Sequence, residues 1–220
     1  STNEWTNAAS RLAAQIARVA AMKLESTRLR EAAVEKEKLE ATLRVARAIQ
    51  MRMLPSITPE LKANARVEIA AEMHAATQVG GDFYEFHLAA DDRFYFCIGD
   101  VSGKGIPAAL LMAVTRTLFR SMILAGMQPA AIVSAVNRQL CDELRPEMFV
   151  TACCGVLDLR SRAVRWANAG HLPPLVISSG GAVSELQSPP CLVLGYLPDF
   201  PFVEEAATLA AGDTLCLYTD

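Results

Sequence analysis

The chain has 220 residues, of which 52% are apolar and 20% charged, with a formal net charge of −3. The apolar fraction excludes wholesale disorder, and the acidic balance excludes a generally basic nucleic-acid binder. The charge is uneven: residues 1–54 carry ten Lys and Arg against six Asp and Glu, whereas residues 55–220 carry eleven against eighteen, an acidity that favours metal cations.

The first predicted element is one helix over residues 8–54, because no Gly or Pro precedes Pro55 and strong helix formers dominate. Apolar residues at heptad spacing predict that this helix is an interdomain coiled coil that pairs two chains. The seam consists of Leu29, Ala32, Lys36, Leu39, Leu43, Ala46, Gln50 and Met53. Lys36 and Gln50 dilute the seam, and an amphipathic helix packed on its own domain is the alternative. Because the chain begins without Met, we expect a sensor domain before it, with residues 1–54 as a linker.

Beyond Pro59 the pattern changes to short strands and two helices. Strands are predicted over residues 66–75, 83–88, 93–98, 149–157, 163–168, 175–178, 182–186, 202–209 and 214–218, and helices over residues 107–124 and 129–144. Two helices inserted among hairpin-like strands predict an α+β fold with a mainly antiparallel sheet in residues 55–220.

Localisation signals are absent from the sequence pattern. The most apolar stretch, residues 108–126, is interrupted by Arg116 and Arg120, which would be costly in lipid, so we predict no membrane span. No signal peptide is visible, and the six cysteines form no Cys-x-x-Cys motif. We interpret the cysteines as small buried apolar residues of a protein in the reducing cytoplasm.

Three acidic residues stand at the ends of predicted strands. Asp82 follows Gly80-Gly81 before the strand 83–88, Asp100 follows the strand 93–98, and Asp220 follows the strand 214–218. The glycine-rich loop after Asp100 does not have the spacing of a phosphate-binding Walker loop, and Asp100 would repel a phosphate unless a cation lay between them. A carboxylate with a nearby backbone carbonyl suits a hard metal ion, and three converging carboxylates could bind two divalent cations. Each acid taken singly could also be a solvated turn residue.

The segments Val-Gly-Gly-Asp-Phe-Tyr at 79–84 and Ile-Gly-Asp-Val-Ser-Gly-Lys-Gly-Ile-Pro-Ala-Ala-Leu at 98–110 closely resemble the RsbU/SpoIIE branch of the metal-dependent PPM (type 2C-like) serine/threonine phosphatases. Segments 46–55, 168–174 and 217–220 resemble further motifs of that branch. The resemblance covers residues 46–220. It implies an αββα sandwich of antiparallel sheets flanked by helices, with two divalent cations, Mn²⁺ or Mg²⁺, bound between the sheets.

The resemblance also implies roles for individual residues. Asp100 matches the aspartate that bridges the two metals, and the carbonyl of Val101 matches a backbone ligand. Asp82 matches an upstream acid that holds a metal directly or through water, and Asp220 matches a further metal-binding acid. Asp100 and Asp82 are therefore the expected catalytic residues.

The sequence departs from the family pattern at several points. Glu85 stands where the family often has Asp, and Ser102 stands where eukaryotic relatives have a histidine proposed as general acid. The family's last metal-binding Asp is absent, so we expect the phosphatase domain, residues 55–220, to be C-terminally incomplete. For His171 two interpretations stay open: it faces the site, or it is a structural histidine that caps a strand, which we favour.

The function implied by the resemblance is that of a cytoplasmic, bacterial-type phosphoserine/phosphothreonine protein phosphatase using hydroxide generated at two metals. The implied substrate is a phosphorylated anti-sigma-factor antagonist of the STAS type, in a partner-switching pathway that controls transcription or stress responses. The alternative is a catalytically degenerate, dimeric signalling module.

Overall fold

The structure is a computed structural model that describes residues 2–73, 79–143 and 148–219. The chain divides into two compact units, Ser1–Val45 and Ala46–Asp220. Helix α1 (Thr2–Met53) supplies the whole first unit and its last turns belong to the second. It ends just before Leu54-Pro55, because a residue that precedes proline disfavours the helical conformation. The helix predicted over residues 8–54 is confirmed and begins earlier than predicted.

Between residues 11 and 45, the apolar side chains of α1 are exposed in the single chain, except that of Leu43, which is half-buried. Leu29 is 66% exposed and Leu39 is 54% exposed, and Lys36 lies 3.9 Å from Glu40 one helical turn further on. Such a helix gains little from burial within its own unit.

The second unit contains short elements that follow in chain order. They are α2 (Pro59–Lys62), β1 (Phe83–Leu88), β2 (Arg93–Val101), α3 (Ile106–Leu124), α4 (Pro129–Glu143), β3 (Val150–Asp158), β4 (Ala163–Ala169), β5 (Leu175–Ile177), β6 (Val183–Glu185), β7 (Glu205–Thr208) and β8 (Thr214–Cys216). The strands form a five-stranded sheet of order β1-β2-β3-β4-β7 and a three-stranded sheet of order β6-β5-β8, with every pair antiparallel. The predicted α+β fold with antiparallel sheets is confirmed.

The five-stranded sheet has apolar side chains on both faces. One face packs against α3 and α4 through a core that includes Phe83, Phe119 and Val136. The other face packs against the three-stranded sheet through a core that includes Phe96 and Trp166. Because successive strand residues point to opposite faces, each strand contributes to both cores. We call the second core the inter-sheet core.

Helix α3 is long and apolar enough to cross a membrane by length and composition alone. In the structure it is a core helix, with Met112, Phe119 and Ile123 buried against the sheet. Its charged residues Arg116 and Arg120 pair with Glu85 of β1. The two arginines that interrupt this apolar stretch therefore have a buried counter-charge in the fold.

The strand predictions need correction at several points: β7 begins at Glu205 rather than at residue 202, and β8 ends at Cys216 rather than at residue 218. The strand predicted over residues 66–75 is wrong for residues 66–73, which form no strand, while residues 74 and 75 lie outside the described residues. Val67 and Ile69 alternate with exposed residues and pack on the inter-sheet core, so they show the burial pattern of a strand without a partner. Strand β2 continues three residues beyond its predicted end, because Gly99, Asp100 and Val101 pair with β3.

Candidate metal centre

Asp82 and Asp100 lie at the same end of the five-stranded sheet. Strands β1 and β2 are in a register whose last pair is Phe83 with Gly99, and Asp82 and Asp100 are the next residue of each segment beyond that pair. A Cβ atom at the neighbouring Gly81 would lie 3.2 Å from Oδ1 of Asp100, so the segment that carries Asp82 passes beside Asp100. On the other side, Asp100 pairs with Thr151 of β3. The segments that carry the two acids therefore lie together at this end of the sheet.

Asp100 faces the space between the two sheets. Phe94, Phe96 and Ile98 of β2 belong to the inter-sheet core, and Asp100 continues their alternation. Val101 points the other way and is 1% exposed in the core beneath α3. The side chain of Asp100 is thus presented between the sheets, while Val101 can offer that space only its backbone carbonyl.

Gly81 lets the backbone before Asp82 approach these groups closely. A Cβ atom at Gly81 would lie 2.6 Å from the carbonyl oxygen of Val101 and 3.2 Å from Oδ1 of Asp100. Only glycine fits such a position. A carboxylate and a backbone carbonyl are the hard oxygen donors that Mg²⁺ and Mn²⁺ prefer. The donor set gathered here fits a divalent cation.

Ser102 fixes the loop that follows Asp100. The backbone N–H of Ser102 donates to the carbonyl of Phe149 at 2.9 Å, and its hydroxyl oxygen accepts from the N–H of Phe149 at 2.9 Å. Two glycines with positive φ, Gly103 at 92° and Gly105 at 74°, then carry the chain into α3. Ser102 thus anchors the loop to Phe149, the residue just before β3.

The segment Asn168-Ala169-Gly170-His171 closes on itself. The side-chain amide of Asn168 donates to the carbonyl of His171 at 2.9 Å, and its oxygen accepts from the N–H of His171 at 2.8 Å. Gly170 has a φ of 68°, and a Cβ there would lie 2.8 Å from the side chain of Val193. The motif is therefore a tight turn that orients His171.

The ring of His171 connects strand β3 to the segment after β8. Its Nδ1 lies 2.9 Å from Oγ1 of Thr151, and its Nε2 lies 3.1 Å from the carbonyl oxygen of Tyr218. His171 is 9% exposed. Both ring nitrogens have protein partners, which favours the structural interpretation of this histidine over a metal-ligand role.

Gln50 joins the end of α1 to the loop before Asp82. Its amide donates to the carbonyl of Gly80 at 3.1 Å and to that of Ala109 at 3.3 Å, and its oxygen accepts from the N–H of Gly80 at 3.3 Å. At 9% exposure, Gln50 is buried in the second unit. Its prediction as a polar member of the coiled-coil seam is therefore wrong. The side chain instead binds the loop of residues 79–82, which we call the metal-centre loop, and the first turn of α3.

Glu85 lies on the opposite face of β1 from Asp82. It is 1% exposed, and its carboxylate lies 2.5 Å from Nη2 of Arg116 and 2.9 Å from Nη1 of Arg120, both in α3. Burial raises the pKa of the Glu85 carboxyl above its ordinary value, and the two arginines oppose that rise. Glu85 therefore ties α3 to β1 beneath the metal centre and does not point into it.

The remaining predicted site residue, Asp220, lies outside the described residues. Within residues 2–73, 79–143 and 148–219, no group of three or more His, Cys, Asp and Glu side chains forms a metal site. Asp82, Asp100 and the carbonyl of Val101 are therefore the candidate metal ligands among the described residues. The sequence analysis did not predict that Gln50 and Thr151 contact residues of this site, or that Glu85 pairs with Arg116 and Arg120.

The described cysteines are free. Cys97, Cys153 and Cys154 are buried, as predicted, whereas Cys141, Cys191 and Cys216 are only half-buried, so the prediction of buried cysteines is wrong for these three. Burial raises the pKa of the Cys97 and Cys153 thiols well above the ordinary value, so neither carries the thiolate of a nucleophile. Cys153 points to the inter-sheet core and Cys154 to the core beneath the helices. The two cysteines are adjacent in the sequence but point to opposite faces of the sheet, as successive residues of a strand do.

Comparisons with known proteins place the chain in a family. Residues 90–220 match the family model described as Stage II sporulation protein E (SpoIIE). The chain is 27% identical over 184 residues to the phosphoserine phosphatase RsbU of Bacillus subtilis, covering 84% of this chain and 54% of that protein. The chain spans 32%, 54% and 44% of the length of three curated relatives that it matches.

Solved structures show the same fold. The SiaA-PP2C domain of Pseudomonas aeruginosa matches with a TM-score of 0.65 and 25% identity, covering 82% of this chain and 71% of that chain. The RsbU and RsbW domains of Rv1364c from Mycobacterium tuberculosis match with a TM-score of 0.56 and 32% identity, covering 64% and 39%. These matches confirm the resemblance carried by the Gly-Gly-Asp and Gly-Asp-Val-Ser-Gly motifs, and the chain belongs to the SpoIIE family.

Proposed function

We propose that the protein is a metal-dependent phosphoserine/phosphothreonine protein phosphatase. The observation that carries this proposal is the placement of Asp82 and Asp100 just beyond the last pair of β1 with β2, with the carbonyl of Val101 and Gly81 beside them. Membership of the SpoIIE family and the likeness to a phosphoserine phosphatase support it.

Asp82, Asp100 and the Val101 carbonyl would hold two Mn²⁺ or Mg²⁺ ions together with Asp220. Such ions supply Lewis-acid stabilisation of the charge that develops during phosphoryl transfer. The chain's own residues would bind these ions and hold the metal-binding oxygens in place. Gly81 keeps the oxygens of Asp100 and Val101 accessible, and Ser102 anchors the loop that follows them.

We further propose that the substrate is a phosphorylated STAS-type anti-sigma-factor antagonist in the cytoplasm. A relative named RsbU, and a solved chain in which an RsbU domain occurs with an RsbW domain, support this signalling context. Residues 55–220 are acidic and would attract an isolated phosphate poorly. Affinity should therefore come from contacts between two proteins outside the metal centre.

The test is a phosphatase assay on the full-length protein with a phosphorylated STAS-type protein and a small chromogenic phosphate ester. We expect activity that requires Mn²⁺ or Mg²⁺, that is lost with EDTA and that returns when metal is restored. About 3 kcal/mol of additional protein–protein contact would raise kcat/KM for the phosphoprotein about 100-fold over the small ester. Equal efficiency on both substrates would remove the case for a protein substrate. Absence of activity with either metal would favour the alternative, a noncatalytic signalling module.

Residues 1–54 are proposed to act as a linker that pairs two chains in parallel and follows a sensor domain. The exposed apolar residues of α1 support pairing, and the contacts of Gln50 with Gly80 offer a route from the linker to the metal-centre loop. An upstream signal would then shift the equilibrium between two arrangements whose free energies differ by a few kcal/mol.

Sedimentation should report a dimer for the wild-type chain and a monomer for the double variant Leu39→Asp/Leu43→Asp, because two buried charges per helix oppose pairing of the seam. The matched control is Val34→Asp/Ala41→Asp, which adds the same charge on the opposite face of the helix and should stay dimeric. A monomeric wild-type chain at high concentration would contradict the pairing.

A further inference from the structure

We propose that His171 is a positioning residue that ties the segment after β8 to strand β3 beside Asp100; this inference rests on the phosphatase function proposed above. The ring spans the two sheets at the metal centre. Thr151 belongs to the five-stranded sheet, and Tyr218 follows β8 of the three-stranded sheet. One side chain thus links both walls of the site.

The chemistry of the two contacts assigns the donors. A backbone carbonyl only accepts, so Nε2 of His171 donates to the carbonyl oxygen of Tyr218. In the neutral ring, Nδ1 is then an acceptor, and the hydroxyl of Thr151 donates to it. The Asn168 amide holds the backbone N–H and carbonyl of His171 and so fixes where the ring begins. Asn168 therefore fixes the backbone from which the ring extends, and Thr151 and Tyr218 bind its two nitrogens.

The positions of these partners relate the ring to the metal-binding acids. Thr151 pairs directly with Asp100 across β2 and β3. Tyr218 precedes Asp220 by two residues in the sequence. The carbonyl that the ring holds therefore lies two residues before a proposed metal ligand in the sequence. Loss of the ring contacts should therefore weaken metal binding more than it weakens the fold.

The test compares three variants of the full-length protein by calorimetric titration with Mn²⁺ and by denaturant unfolding of the metal-free protein. His171→Phe keeps an aromatic ring and removes both contacts, and we expect the Kd for Mn²⁺ to rise about 10–100-fold, as for other residues that orient metal ligands. His171→Gln places an amide N–H near the position of Nε2 and should restore affinity close to that of the wild type. His171→Asn reaches only the position of Nδ1 and should behave like His171→Phe.

Ser188→Ala is the matched control, because it removes a 2.9 Å hydrogen bond from Trp166 to the loop beyond β6, away from Asp100. It should leave the Kd for Mn²⁺ unchanged. An unchanged Kd in His171→Phe, with the wild type binding Mn²⁺ and dephosphorylating its substrate, would overturn this inference alone. Equal rescue by Asn and Gln would also overturn it. A wild-type protein that neither binds Mn²⁺ nor dephosphorylates would overturn the proposed function and this inference together.

Discussion

Asp100→Asn is expected to lower kcat about 1,000-fold or more in the full-length protein with saturating Mn²⁺. The substitution keeps the size of the side chain and the backbone pairing of β2 with Thr151, but it removes the negative charge proposed to bridge two cations. A loss of about 4 kcal/mol of transition-state stabilisation corresponds to this factor. Turnover of the phosphoprotein is the measurement. The metal-free variant should unfold at the same or higher denaturant concentration, because one anion leaves an acidic cluster.

Two further Asp→Asn variants define the expected pattern. Asp82→Asn should be strongly impaired, although less than Asp100→Asn, because Asp82 is not proposed to bridge. Asp92→Asn is the matched control at the opposite end of β2, where Asp92 pairs with Arg66 and Arg160. Asp92 has a φ of 66°, a conformation that Asn tolerates, so this variant should keep its activity. Near-normal activity of Asp100→Asn would show that the site is assigned wrongly.

Local patterns predicted the strands that pair with their neighbours in sequence. β1 begins and ends at the predicted residues, because its apolar alternation and the turn after Leu88 are both local signals. The end of β2 was predicted too early, because Gly99 and Asp100 resemble turn residues, whereas in the structure both pair with β3, about 50 residues away, and Gly99 also pairs with Phe83 of β1. Residues 66–73 show the converse: alternating burial is visible in the sequence, whereas the absence of a partner strand is not.

The site shows the same division between local and distant information. The positions of Asp82 and Asp100 at strand ends were visible in the sequence, and the register of β1 with β2 follows from their hairpin. Gln50 was predicted to be a polar residue that weakens the coiled-coil seam, because its true partners, Gly80 and Ala109, are 30 and 59 residues away in the sequence. A polar residue at a heptad position gives no local sign of which carbonyls it will meet.

The three-residue ion cluster of Glu85, Arg116 and Arg120 should contribute to stability and leave the chemistry alone. Glu85→Gln should lower the free energy of unfolding by about 3–5 kcal/mol, because the Arg116 guanidinium, nearly as buried as the carboxylate, would lose its counter-charge. Denaturant unfolding of the metal-free protein measures this change. Arg120→Met should cost about 1 kcal/mol or less, because the Arg120 side chain is 44% exposed and remains partly solvated.

The double variant Glu85→Leu/Arg116→Met tests whether the stability lost in Glu85→Gln comes from the unpaired buried charge of Arg116 or from loss of the ion pair itself. Replacing both charges by apolar groups of similar size should restore most of the stability lost in Glu85→Gln, because neither charge is then left unpaired in the core. Since Glu85 points toward α3 and Asp82 toward the inter-sheet space, kcat per folded molecule should stay close to that of the wild type in all these variants. A selective loss of kcat in stably folded Glu85→Gln would instead place Glu85 in the metal centre. The opposite responses expected of Asp100→Asn and Glu85→Gln, one in activity and one in stability, thus follow from which face of the same sheet each carboxylate occupies.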